Sequence, residues 1–125
     1  MNELSALERN MNIIKDIVSY CDEIKEAREI FGDSFEALAG NKHYQNSISM
    51  CVLQIGELSS RLTENFKERY DGVPWRKIKD MRNLVAHNYR IMNLELLWEA
   101  ISIHVVYLCE YCEKIIDIEE GSKND

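Results

Sequence analysis

The chain has 125 residues, 46% of them hydrophobic and 30% charged, and its 22 Asp+Glu outnumber 15 Lys+Arg for a net charge of −7. That length suits one domain with its own core, and the apolar content excludes a disordered acidic tail. Five Gly and one Pro argue against a turn-rich sandwich or barrel; no apolar run approaches the ~20 residues of a membrane span, and the charged start MNELSALERN does not read as a signal peptide, so a cytoplasmic location is expected.

Residues 4–31 repeat apolar side chains at helical spacing, with Leu7, Met11, Ile14, Val18, Cys21 and Ile24 on one stripe, and Gly32 ends the run. Asp33-Ser34-Phe35-Glu36 reads as a capping box with an acidic N-cap, opening a short helix that Gly40 closes through positive φ. A long helix is expected from Asn41 to about Lys67, with Tyr44, Ile48, Cys51, Val52, Ile55, Leu62 and Phe66 on its buried stripe. Asp71-Gly72-Val73-Pro74 is the strongest break, and Pro74 suits the first position of a shorter helix running to about Val85. The last helix is expected from near Asn93, carrying Leu94, Leu97, Trp98, Ile101, Val105, Leu108, Cys112 and Ile115. Residues 119–125 read as a polar, frayed tail beyond a single domain spanning 1–118. The expected fold is all-α, an antiparallel bundle of about four to five helices.

The net charge hides an asymmetry. Residues 61–90 hold eight basic and four acidic residues, a net of +4, whereas the remainder holds seven against eighteen, a net of −11. A basic segment inside an acidic protein says more about partners than the total does.

That segment also concentrates unusual chemistry in Met81-Arg82-Asn83-Leu84-Val85-Ala86-His87-Asn88-Tyr89. Arg82 offers a permanent cation with a planar fork of donors, and His87 can exchange a proton near neutrality. Asn83 can support them by hydrogen bonding. On a continuous helix, positions five apart lie about 140° apart, so Arg82 and His87 meet only if the helix ends or tightens near Ala86 or a second chain completes the site. Plainer roles exist for the same residues: Arg82 on a solvated face, His87 as a partner of a helix C-terminus, Tyr89 half-buried in a core, and Trp75 and Trp98 as core or interface anchors.

The segment resembles the Arg-x4-His-x-Tyr signature of the HepT-like ribonuclease toxins, within the HEPN superfamily of helical domains. The flanking order is similar too: Gln54-Ile55-Gly56-Glu57, Pro74-Trp75, Met81-Arg82-Asn83, His87, Tyr89, then Trp98, over about residues 44–108. The resemblance implies a homodimer whose cleft gathers Arg82 and His87 from both protomers as catalytic residues, with Asn83 in support. It implies metal-independent endonucleolytic cleavage of RNA, with no cofactor and no metal. It further implies the toxin of a type VII-like toxin–antitoxin pair, neutralised when a small nucleotidyltransferase antitoxin of the MNT type transfers AMP to Tyr89.

Other features are read more plainly. Cys109-Glu110-Tyr111-Cys112 has CxxC spacing, but on a strongly periodic helix, where reduced cysteines act as small apolar core residues. His43 and His104 lack ligand-like spacing to a second histidine. Gly56 permits close helix packing or subunit contact, and the role of Glu57 beside it stays open, pairing with a basic residue of the site being one option. Two rival readings stay open: a non-catalytic helical module that docks a nucleotidyltransferase or nucleotide, and a metal-binding bundle using the cysteines or histidines.

Overall fold

A computed structural model of the chain describes residues 4–85 and 93–121; His87 and Tyr89 lie outside them. Helix α1 spans Ala6–Phe31, and Ser5 caps it by accepting from the Glu8 N–H at 3.1 Å. Gly32 closes α1 at φ 121°, its N–H donating to the Arg28 carbonyl at 3.1 Å. Only glycine holds that backbone comfortably, and a Cβ there would stand 2.8 Å from the Ala37 Cβ.

Helix α2 spans Phe35–Ala39, and its cap is Ser34, not Asp33: the Ser34 hydroxyl accepts from the Ala37 N–H at 3.1 Å. A box on Ser34 would need an acid or amide where Ala37 stands, so the expected acidic box does not form. Asp33 instead accepts from Arg28 Nε at 2.8 Å. Gly40 ends α2 at φ −92°, so the positive φ expected there is not used.

Helix α3 spans Lys42–Ser59, with the Asn41 side chain accepting from the Tyr44 N–H at 3.2 Å. The single helix expected to run on to Lys67 is in fact divided. Ser59 and Ser60 donate their hydroxyls to the Gly56 and Glu57 carbonyls at 2.9 and 2.6 Å, and Thr63 then caps a separate α4 at Glu64–Arg69. Buried Asn10 of α1 holds that break from both sides: its Nδ2 donates to Thr63 Oγ1 at 3.0 Å, and its Oδ1 accepts from the Thr63 N–H at 3.1 Å. An amide with both ends satisfied removes the cost of its burial.

Helix α5 spans Trp75–Asp80, with Pro74 just ahead of it rather than within it. The Trp75 indole is buried and donates to the Tyr70 carbonyl at 2.7 Å, so it is a core anchor. From Met81 to Leu84 the chain tightens into a 3₁₀ turn instead of continuing as α-helix to Val85.

Helix α6, Leu94–Glu99, is capped by Asn93, whose side chain accepts from the Leu96 N–H at 3.1 Å. A π-helical segment at Ala100–His104 joins it to α7, Val105–Gly121. Helix α7 thus runs past residue 118, and Glu119 within it accepts from the Tyr70 hydroxyl and pairs with Arg69 Nη2 at 3.2 Å.

Among the described residues there are helices and turns but no strand, and no helix is long and apolar enough to cross a membrane. Cross-contacts show the helix directions. The end of α1 meets the start of α3 where Phe31 stacks on Tyr44 at 5.2 Å, while its start meets the end of α3 at Asn10 and Thr63. Likewise Arg28 reaches the Ile101 carbonyl at 3.4 Å, and Lys15 pairs with Glu120. Both neighbours of α1 therefore run antiparallel to it. Its buried stripe is Met11, Ile14, Ile17, Cys21, Ile24 and Ala27; Ile17 takes the place expected of half-buried Val18, and Leu7 is 39% exposed.

Candidate functional site

The site begins with a residue that has no side chain. Gly56 on α3 lies where a Cβ would stand 2.9 Å from the Arg82 Cβ, 3.0 Å from the Lys79 carbonyl oxygen and 3.2 Å from the Arg82 nitrogen. Glycine there lets the end of α5 and its 3₁₀ turn seat directly on α3. Glu57, next along α3, then accepts from Arg82 Nη1 at 2.9 Å. The two side chains are 35% and 39% exposed, so this pair contributes little to stability. Its effect is directional: one carboxylate oxygen holds one arm of the guanidinium fork, and the other donors have no partner among the described residues.

The turn decides what Arg82 presents. Trp75, Ile78 and Met81 recur every third residue and are buried, which fixes this edge of the helix against the core. Arg82, one place beyond Met81, lies at the margin of that buried line, and Asn83 is exposed beside it. The 3₁₀ turn begins at Met81, six residues before His87 in sequence, and the stretch near Ala86 where a tightening was expected lies outside the described residues. Of the expected site residues, Arg82 and Asn83 share this turn. His87 and Tyr89 fall outside the described residues.

The remaining candidates lie elsewhere. Trp98 is half-buried, with the Arg28 guanidinium 5.5 Å over its ring, and His43 and His104 are exposed. His104 Nε2 stands 3.4 Å from Glu99 Oε1. The CxxC pair does not converge: Cys112 is fully buried in the core, whereas Cys109 is half-buried. Burial pushes the Cys112 thiol up to about 12, and burial together with the Glu23 carboxylate, 3.4 Å away, pushes Cys51 up to about 12. Interaction with Cys109 across α1 and α7, together with burial, raises the Cys21 thiol, and the same interaction lowers Cys109.

Asp22, Cys109 and Glu113 each place one donor atom within 4.8 Å of the others, a grouping able to hold a metal ion. Sequence reasoning missed it; the visible half of the signal is the i, i+4 spacing of Cys109 and Glu113. A groove of about 540 Å³ runs between α1 and the last helix, lined by Cys21, Lys25, Arg28, Ile101, Val105 and Cys109 among others. It includes neither Arg82 nor Asn83.

Comparison with known proteins places the chain in a family. A family model described as ribonuclease HepT-like matches residues 17–115. A protein of Methanocaldococcus jannaschii named "putative RNase" is 27% identical over 106 residues, covering 84% of this chain and 90% of its own length. The "probable ribonuclease HepT" of Thermococcus cleftensis is 27% identical over 101 residues, covering 77% of this chain and 92% of its own. A second M. jannaschii protein, named "gamma-glutamylcyclotransferase and putative RNase", is 26% identical over 89% of this chain, which spans only 52% of it. No solved structure matches the chain. With 99 of its 125 residues under the family model and an all-α fold among the described residues, the chain belongs to the ribonuclease HepT-like family and is by family an endoribonuclease.

Proposed function

We propose that this protein is a toxin ribonuclease that cuts RNA at a cleft between two protomers, using Arg82 and His87 of each, and that AMP transfer to Tyr89 silences it. The observation that carries the reading is the Arg82 turn: a partly exposed guanidinium held by Glu57, seated on α3 through Gly56, inside the basic segment of an acidic chain. The cut uses the ribose 2′-oxygen as its nucleophile. His87 takes the 2′-hydroxyl proton as that oxygen attacks the adjacent phosphorus. The bond to the 5′-oxygen breaks, and the second protomer's imidazolium protonates the leaving oxygen. The products are a 2′,3′-cyclic phosphate and a 5′-hydroxyl. Arg82 stabilises the negative charge that builds on the non-bridging oxygens, and exposed Asn83 supports the same phosphate. DNA lacks the internal nucleophile, so the mechanism is selective for RNA.

Two imidazoles in one cleft require a two-fold axis close to the turn, hence the homodimer. An AMP on Tyr89 adds an anionic phosphodiester two residues from His87, where it competes with RNA for Arg82. A nucleotidyltransferase antitoxin catalyses the transfer: the Tyr89 oxygen attacks the α-phosphorus of ATP, the α–β phosphoanhydride bond breaks and pyrophosphate leaves.

The test is RNA cleavage by purified protein in excess EDTA, beside Arg82→Ala and His87→Ala. Both variants are expected to lose activity by at least about 100-fold, and cyclic-phosphate ends should appear only with the parent. Undiminished cleavage by either variant sinks the assignment of the site. Mass spectrometry after co-expression with the nucleotidyltransferase should find AMP on Tyr89.

A further inference from the structure

Beyond the reacting groups, α5 carries two cations that the mechanism does not use, Arg76 and Lys79, and they lead in sequence to Arg82 on the turn that follows. Arg76, Lys79 and Arg82 recur every third residue, each one place after a member of the buried line Trp75, Ile78 and Met81. In a continuous α-helix a row spaced by three drifts about 60° per step, but a 3₁₀ turn brings positions three apart into register. The change of helix type at Met81 reduces that drift between Lys79 and Arg82, while the α-helical step from Arg76 to Lys79 keeps it, so the three form a slanting row. Successive members stand about 4.5–6 Å apart along the axis. Lys79 and Arg82 are also the two residues seated against Gly56.

Arg76 and Lys79 are exposed and form no ion pair with any described residue, in a chain where acids outnumber bases by 22 to 15. Lys15, Arg28, Lys67, Arg69 and Arg82 each have a carboxylate partner; Lys77 on the same helix is unpaired among the described residues as well, so what sets Arg76 and Lys79 apart is that they lead to Arg82. Glu57 is paired with Arg82, and Asp80 falls in sequence on the adjoining row with Lys77 and Asn83. An exposed line of unpaired cations that ends on a catalytic arginine suits a chain of phosphates.

We propose that Arg76 and Lys79 are RNA-backbone contacts that lead a single strand along α5 to Arg82. This rests on the ribonuclease reading above and adds the path by which substrate reaches the site. The contacts are to phosphates, so they set affinity and register without selecting bases. Charge repulsion from the other helices confines the strand to this track.

The experiment compares Arg76→Gln/Lys79→Gln with a charge-matched control, Lys25→Gln/Lys42→Gln, after equal thermal melts confirm folding. Cleavage of a mixed-sequence single-stranded RNA gives kcat and KM. Fluorescence anisotropy, in the non-cleaving His87→Ala background, gives binding between 50 and 200 mM salt (about the range over which phosphate contacts are diagnostic). The α5 variant should raise KM roughly tenfold with kcat within about twofold, and flatten the slope of log K against log salt by about 1.4, or ~0.7 for each lost contact. The control should move neither.

An unchanged KM and slope in the α5 variant, with a parent that cleaves RNA, overturns the track and leaves the ribonuclease reading standing. A parent that binds RNA without cutting it overturns the ribonuclease reading alone, since the slope still decides the track. A parent that neither binds nor cuts overturns both.

Discussion

Tyr44 carries a hydroxyl that is fully buried and has no hydrogen-bond partner among the described residues. Burial raises its pKa, because the charged form would have to be held without water. Its ring packs in the core and stacks on Phe31 with 25° between planes, so the ring stabilises while the oxygen costs. Tyr44→Phe should therefore be neutral or gain about 1 kcal/mol in urea denaturation; a loss of that size would mean the hydroxyl has a partner. Arg82 presents the opposite balance, since its pairing with Glu57 adds little stability and much orientation. From sequence, pairing with a basic residue of the site was one option for the Glu57 carboxylate, and its role stayed open. The particular arginine could not, because 25 residues separate them and only packing of the turn on α3 joins them.

At the level of elements, the junction of α3 with the 3₁₀ turn depends on one missing methyl group. Gly56→Ala would force a Cβ to 2.9 Å from the Arg82 Cβ, and relief requires the turn to move off α3. The expected cost is about 1–3 kcal/mol by urea denaturation, with a fall in RNA cleavage because Glu57 and Arg82 separate together. Gly121→Ala is the control: nothing lies within 4 Å of the added Cβ, and stability should hold within about 0.5 kcal/mol. An unchanged Gly56→Ala protein would show that the close approach is dispensable. Helix ends were legible where a single residue makes them, as at Gly32 and Asn93. The division between α3 and α4 was not, because the apolar spacing runs through it and the buried amide that stabilises it comes from Asn10, 53 residues away.

Across the whole molecule, the end of α4 is tied to the end of α7 through Tyr70, Glu119 and Arg69. Burial, and then the hydrogen bond to Glu119, push the Tyr70 hydroxyl up to about 12. A group whose folded pKa exceeds its unfolded value of about 10 contributes stability that is complete below pH 10 and lost as pH rises through 12. Tyr70→Phe should be less stable than the parent by about 1 kcal/mol at pH 8. That difference should shrink toward zero between about pH 10 and 12 as the parent loses its own contribution. Urea midpoints of both proteins across that range check it, and a gap that stays constant would remove Tyr70 from the alkaline limb.

The all-α class, the two long helices flanking α1 and most of their buried positions follow from the sequence alone, because helical spacing of apolar residues encodes which face leaves water. The basic segment, Arg82 and the family motif follow from it as well, since charge and motif are properties of local order. Tertiary structure alone decided the rest: that Ile17 outranks Val18 in the core, that Asn10 splits a helix, that α5 tightens at Met81, and that Glu57 is the residue holding Arg82. Each depends on atoms far apart along the chain meeting at van der Waals or hydrogen-bond distance, and no local pattern carries that information. The net charge of −7 is a property of composition, but how closely Arg82 follows Lys79 around the helix depends on the packing that tightens the chain at Met81.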